Sequence, residues 1–327
     1  MKTNITYSLL AAAAACSLAN AQTTAYTTPV GYVSNVLAPN QFNLVGLSLH
    51  EPTIASGVID AESSSSVTDA EVNFTTLLSA GQTYILELPN GVIQEVTAWS
   101  ASTLTTPNNI TNSVNPGTTT YKLRKAATIG SVFGLTNTAG LTPSTDGDLT
   151  TCDLIQIFNG TGFDTIYYFN DGAGTEGWYD DANNPAVDKP IVYSDGIFVK
   201  RIGGSNISLV VSGEVKTNPT SGVLASGFNY LNGVAPVGLS LGASTLESFL
   251  TPSVDGDLTT CDLVLLPASG GSYTTCYYFN DGAGTTGWYD DANNPAQSFD
   301  LSSGFLIFNV GGVKPYTVSV PASYANQ

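Results

Sequence analysis

Basic residues are scarce: Lys and Arg number 9 among 327 residues against 26 Asp and Glu, for a formal net charge of −17. A surface of that sign repels phosphate backbones, which excludes nucleic acid as a partner, and it suits anionic membranes poorly. Histidine occurs once, as His50. A single imidazole makes no zinc site, and thiolate clusters are missing as well. The paired Asp180/Asp181 and Asp290/Asp291 are of the residue type that glycosidases use. They occur twice in identical settings, however, and enzymes seldom keep two copies of an active site on adjacent repeats. The expectation is a protein without enzymatic activity. Two further absences bear on class. Periodic arrays of Ala, Leu, Glu and Lys are lacking, which argues against long helices, and no run reaches membrane-spanning length.

The first residues read as a secretory leader. Lys2 supplies the positive start, Ile5 to Ala15 is apolar with five consecutive alanines, and Ala19-Asn20-Ala21 is a small-x-small cleavage pattern. The expected leader is residues 1–21, with a mature chain from Gln22. Ala13-Ala14-Ala15-Cys16 loosely resembles a lipobox without its usual leucine, so lipidation is the alternative. Loss of Lys2 with the leader takes the formal charge to −18. Export to the cell exterior or surface is therefore expected, with no membrane insertion.

What remains is strand-and-turn chemistry. Short runs of Val, Ile, Thr, Tyr and Phe alternate with Gly, Asn, Asp and Pro, which predicts an all-β fold. An internal duplication organises it. Asp146 to Leu154 recurs unchanged as Asp255 to Leu263, Tyr167 to Thr175 as Tyr277 to Thr285, and Gly177 to Ala186 as Gly287 to Ala296. Upstream, Val45-Gly-Leu-Ser-Leu49 equals Val237-Gly-Leu-Ser-Leu241. In the first repeat the stretch from Pro52 to Lys125 is extra, and loops tolerate such insertions. Its Asn90-Gly91 is a strong hairpin signal between Thr83–Leu88 and Val92–Val96. The predicted architecture is two β-sandwich-like units, residues 22–51 with 126–215 and residues 216–327. A small β-barrel of five or six strands, residues 52–125, is inserted in the first.

Carboxylates dominate the repeated loops. Leu141 to Asp188 holds nine acidic residues and no Lys or Arg, and Leu250 to Asp300 is equally free of basic residues. Clustered carboxylates oppose folding unless a cation or open water relieves them. Calcium ligation by Asp146, Asp148, Asp153, Asp171, Asp180 and Asp181, and by Asp255, Asp257, Asp262, Asp281, Asp290 and Asp291, is the expectation drawn from that imbalance. Asx-turns, in which aspartate bonds its own backbone, are the alternative. Trp178-Tyr179 and Trp288-Tyr289 follow glycine and precede the paired aspartates, a setting suited to stacking on sugar faces. Three cysteines remain beyond the leader. Cys261 and Cys276 flank a turn, so a cross-strand disulfide is expected, with a Cys152–Cys261 bridge across the duplication as the alternative.

At the Val-Gly-Leu-Ser-Leu, Tyr-Tyr-Phe-Asn-Asp-Gly, Gly-Trp-Tyr-Asp-Asp-Ala and Asp-Gly-Ile-Phe-Val blocks, the chain resembles a family of exported bacterial β-rich proteins. Members share an opening like Thr28-Pro-Val-Gly-Tyr-Val33 and a late strand of the Gly-Phe-Phe-Val type. The resemblance implies export and β architecture over nearly the whole mature chain, and it implies no catalytic residues. The expected role is an extracellular structural or adhesive protein, such as a surface-layer or filament subunit. It would assemble through β-edges and cations with copies of itself or other surface proteins. The alternative role is glycan binding through Trp178 and Trp288.

Overall fold

A computed structural model of the protein describes residues 29–324, so the leader and the cleavage site lie outside the described residues. The chain is all-β: strands succeed one another from Val30–Leu37 to Lys314–Val318, and the helices are single turns such as Ile129–Phe133. No described helix is long and apolar enough to cross a membrane.

Two five-stranded antiparallel sheets form the body. The first runs, in spatial order, Glu176–Asp180, Phe163–Asn170, Leu154–Phe158, Gly196–Arg201, Gln41–Gly46. The second runs Thr286–Asp290, Tyr273–Asn280, Leu263–Pro267, Gly304–Asn309, Gly227–Asn232. The strand order and register agree between them: Tyr168 faces Trp178 in one, and Tyr278 faces Trp288 in the other. Because side chains alternate across a strand, one face of each sheet supplies a buried cluster. Ile155, Ile166, Trp178, Ile197 and Val199 pack with Leu37, Leu209 and Val211 from the ribbon that Val30–Leu37 forms with Ile207–Glu214. Val264, Cys276, Trp288 and Ile307 pack with Leu224, Tyr316 and Val318 from the ribbon of Thr220–Leu224 and Lys314–Val318.

The identical Val-Gly-Leu-Ser-Leu blocks only partly coincide in the fold. Val45-Gly46 ends strand Gln41–Gly46, whereas Val237-Gly238 falls in a loop beyond strand Gly227–Asn232. The strand slot is claimed instead by Phe42-Asn43 and Phe228-Asn229. Asn43 accepts from the amide of Ala38 at 2.8 Å and donates to the carbonyl of Val199 at 3.2 Å. Asn229 makes the equivalent bonds to Ala225 at 2.8 Å and Ile307 at 3.3 Å. These buried side-chain bonds fix the register; the downstream leucines, Leu47 with Leu49 and Leu239 with Leu241, are buried in both repeats.

The inserted stretch, residues 52–125, carries eight strands rather than five or six, in two four-stranded sheets. One is Thr53–Val58, Thr120–Lys125, Tyr84–Glu87, Ile93–Val96, and the other Ala61–Ser63, Ser66–Thr68, Thr103–Thr105, Ala98–Trp99. It has its own core around Phe74, Leu86, Leu104, Tyr121 and Leu123. The Asn90-Gly91 hairpin forms as its sequence requires, with Gly91 at φ +91°.

The two five-stranded sheets approach one another closely through glycines. A Cβ on Gly196 would fall 2.7 Å from the Leu231 carbonyl oxygen, and one on Gly304 would fall 3.0 Å from the Val45 carbonyl carbon. Those two contacts join corresponding strands, so the sheets meet in a two-fold-like fashion, each offering its last two strands to the other.

Candidate functional site

The repeated aspartate loops fold as turns. Asp146 Oδ1 accepts the Asp148 amide at 3.0 Å, and Asp148 Oδ1 accepts the Thr150 amide at 2.8 Å and its hydroxyl at 2.7 Å. Asp255 and Asp257 repeat this arrangement at the same distances. The amide and hydroxyl of Thr150 hold the Asp148 carboxyl below its usual range. Asp171 takes the amides of Ala173 and Thr175, and Asp180 those of Ala182 and Asn184. Asp281 and Asp290 do likewise in the second repeat. Asp181 and Asp291 are exposed beside them.

Asp153 and Asp262 do not belong with the other loop carboxylates. Both are buried, and each is neutralised by a cation from a later segment. Asp153 bonds Arg201 Nε at 2.7 Å and the amides of Thr142 and Ile202, both at 2.8 Å. Asp262 pairs with Lys314 and accepts the amides of Thr251 and Val310. With their oxygens filled from the protein itself, these two drop out as cation ligands. Among the described residues, the one trio of carboxylates whose oxygens lie within 4.8 Å of one another is Asp60, Asp69 and Glu71, in the inserted stretch. There Asp69 is already engaged by the Tyr121 hydroxyl at 2.7 Å and the Glu71 amide at 2.9 Å.

The tryptophans are core residues, which corrects the expectation of a stacking platform. Trp178 and Trp288 are each 2 % exposed. Trp178 donates its indole N–H to the Gly134 carbonyl at 2.8 Å, while the Trp288 N–H has no partner among the described residues. Tyr179 and Tyr289 are half-buried against Tyr167 with Phe169 and Tyr277 with Phe279. The expected Cys261–Cys276 disulfide is likewise absent, and Cys152, Cys261 and Cys276 are all free and buried. The cause is strand alternation: Cys276 points into the core with Val264 and Trp288, whereas Cys261 lies by Tyr277, whose side chain takes the opposite face. Burial pushes the Cys152 and Cys261 thiols up to about 11 and Cys276 to about 12, so none is a ready nucleophile.

A buried ionic cluster went unnoticed in the sequence. Arg124 bonds Glu87 at 3.2 Å and Glu214 at 2.5 Å; Lys216 lies 3.7 Å from Glu87, and Tyr193 donates to Glu87 at 3.0 Å. His50 stacks edge-on against Tyr193, and burial with the nearby Arg124 lowers its pKa to about 3. The cluster ties the inserted stretch to the ribbon strand Ile207–Glu214. Of the basic residues Lys122, Arg124 and Lys125 in the last strand of the inserted stretch, Arg124 turns inward and is buried.

Two surfaces remain open. The first is the cleft between the five-stranded sheets, formed by the faces turned away from the cores. Phe42, Phe163 and Phe198 come from one sheet, and Phe228, Tyr230 and Tyr273 from the other, around about 350 Å³ of space. The second is the outer edge of Val30–Leu37, to which no other described strand pairs. The corresponding edge of Thr220–Leu224 is covered: Ser221 donates its amide to Gly91 at 2.9 Å and its hydroxyl to Asn90 at 3.0 Å, both in the inserted hairpin. No protein-family model, curated protein or solved structure matches the chain.

Proposed function

We propose that the chain is an exported structural or adhesive protein that associates with further copies of itself through the open edge of Val30–Leu37. The observation that carries this is the contrast between two corresponding edges of one molecule. Thr220–Leu224 is capped by the inserted hairpin, and among the described residues Val30–Leu37 has no such cap. An uncapped strand offers a row of backbone N–H and C=O groups to another strand, and natural proteins usually blunt such edges with Lys, Pro or a bulge. Val30–Leu37 contains none of these devices and no charge. Charge also favours a second copy as the occupant. Two chains of net charge −17 repel unless they meet where carboxylates are missing, and this strand is such a place. Groups that catalysis would draw on are committed elsewhere: His50 and the three cysteines are buried, and Asp180 and Asp290, one of each aspartate pair, close their own turns.

Negative-stain imaging and light scattering on the mature chain test the proposal. The wild type should form ordered oligomers, and Tyr32→Lys, at an exposed position on this strand, should stay monomeric with an unchanged melting temperature. A wild type that is monodisperse at every concentration, or a lysine variant that assembles equally well, refutes it.

A further inference from the structure

The cleft between the two sheets carries more than packing, and we propose that it binds a neutral oligosaccharide. Its aromatic end of about 350 Å³ opens into a second space of about 560 Å³, and the two share Phe42, Gly271 and Tyr273 in their walls. At the aromatic end, Phe42 and Phe228 are 46 % and 49 % exposed, although both project from strands of the two sheets. The rings behind them are held in place. Phe198 contacts Phe42, Phe163 and Tyr230 edge-on, at centroid separations of 6.0, 5.9 and 5.6 Å. The exposed rings are thus presented on a fixed wall, the preorganisation a stacking platform needs.

The adjoining space has a different character. Asn35, Gln41, Ser272, Thr274 and Asp300 line it, and the amide nitrogen of Asn35 has no hydrogen-bond partner among the described residues. An apolar chain or lipid tail entering there would strand these groups without partners, at a cost in affinity. A pyranose carries apolar C–H faces for the rings and a rim of hydroxyls for the amides and hydroxyls, so it fits both halves. Charge narrows the class further. Tyrosines apart, the only ionisable side chain lining the two spaces among the described residues is Asp300, a carboxylate. In a chain of net charge −17, uronic-acid and sulfated polymers are disfavoured. This site is separate from Trp178 and Trp288, which are sealed in the cores.

The experiment is calorimetric titration of the Tyr32→Lys protein, used so that self-association does not enter the readout, with cello-, laminari-, manno- and xylohexaose and with an oligoalginate. At least one neutral hexaose should bind at one site per chain, and the alginate should not. Phe42→Ala and Phe228→Ala should each weaken that binding by about tenfold, the scale of one aromatic contact. Their melting temperatures should be unchanged, because both rings are half-exposed. Failure of every neutral sugar overturns the proposal. So does sugar binding that survives the Phe42→Ala/Phe228→Ala double variant, or a cleft that takes only aromatic peptides or the apolar dye Nile red.

Discussion

Replacing Glu87 with glutamine is the most informative perturbation of this fold. Glu87 accepts hydrogen bonds from Arg124 and Tyr193 and lies 3.7 Å from the Lys216 ammonium, and all four side chains are buried. Burial alone would raise its carboxyl, but Lys216 and Arg124 outweigh burial and bring it down to about 2. Glutamine keeps the shape and removes the charge, leaving two buried cations with Glu214 as the remaining counter-ion. Breaking a buried pair from one side costs roughly 3–5 kcal/mol. At about 2 °C per kcal/mol for a chain of this size, that is a loss of roughly 6–10 °C in melting temperature. The pH dependence adds a sign. Burial lowers the Lys216 pKa to about 8 from an ordinary 10.5, and Glu87 works against that shift. A base whose folded pKa is depressed costs stability while protonated, and the penalty fades as pH rises towards the unfolded value. Without Glu87 the folded pKa falls further, so the penalty at pH 7 grows and more of it is relieved by alkali. Thermal and urea melts at pH 7 and 9 should show Glu87→Gln much weaker at pH 7 and partly recovered at pH 9. The Glu87→Gln/Lys216→Met double variant should regain much of the loss at both. A single variant that melts within a degree of wild type, or whose deficit is the same at both pH values, refutes the reasoning.

Three other outcomes follow from the geometry. Trp178→Phe should destabilise more than Trp288→Phe, by about 1 kcal/mol in urea melts, because only Trp178 loses a hydrogen bond; equal losses contradict the assignment. The folded mature protein should show no thiol reactive to a disulfide reagent and three once unfolded without reductant; a single thiol on unfolding would mean a disulfide. Calcium should raise the melting temperature no more than sodium at matched ionic strength, because all the candidate aspartates but Asp181 and Asp291 are engaged in turns and ion pairs. A calcium-specific rise that Asp146→Asn/Asp148→Asn halves would restore those loops as cation sites.

Much of the local structure is legible along the chain because it depends on neighbours in sequence. The β-rich runs, the Asn90-Gly91 hairpin and the Asx geometry of Asp148, Asp171 and Asp180 all need only a few adjoining residues. The duplication is visible for the same reason, since two like segments fold into sheets of like order. Contacts between distant segments are another matter. Leu141 to Asp188 looked uncompensated because the cation for Asp153 is Arg201, beyond that window, and Asp262 waits for Lys314. Trp178 donates its hydrogen bond to the Gly134 carbonyl, in the segment between Thr128 and Asp146 that is longer than its counterpart from Thr245 to Asp255, and identical Gly-Trp-Tyr blocks give no hint of it. Cys261 and Cys276 flank a turn in the chain but face opposite sides of a sheet. Only the tertiary structure decided which edge is capped and which rings stand open between the sheets. Both are set by how whole sheets stack, through close glycine contacts and a buried ionic junction, and no local pattern encodes that.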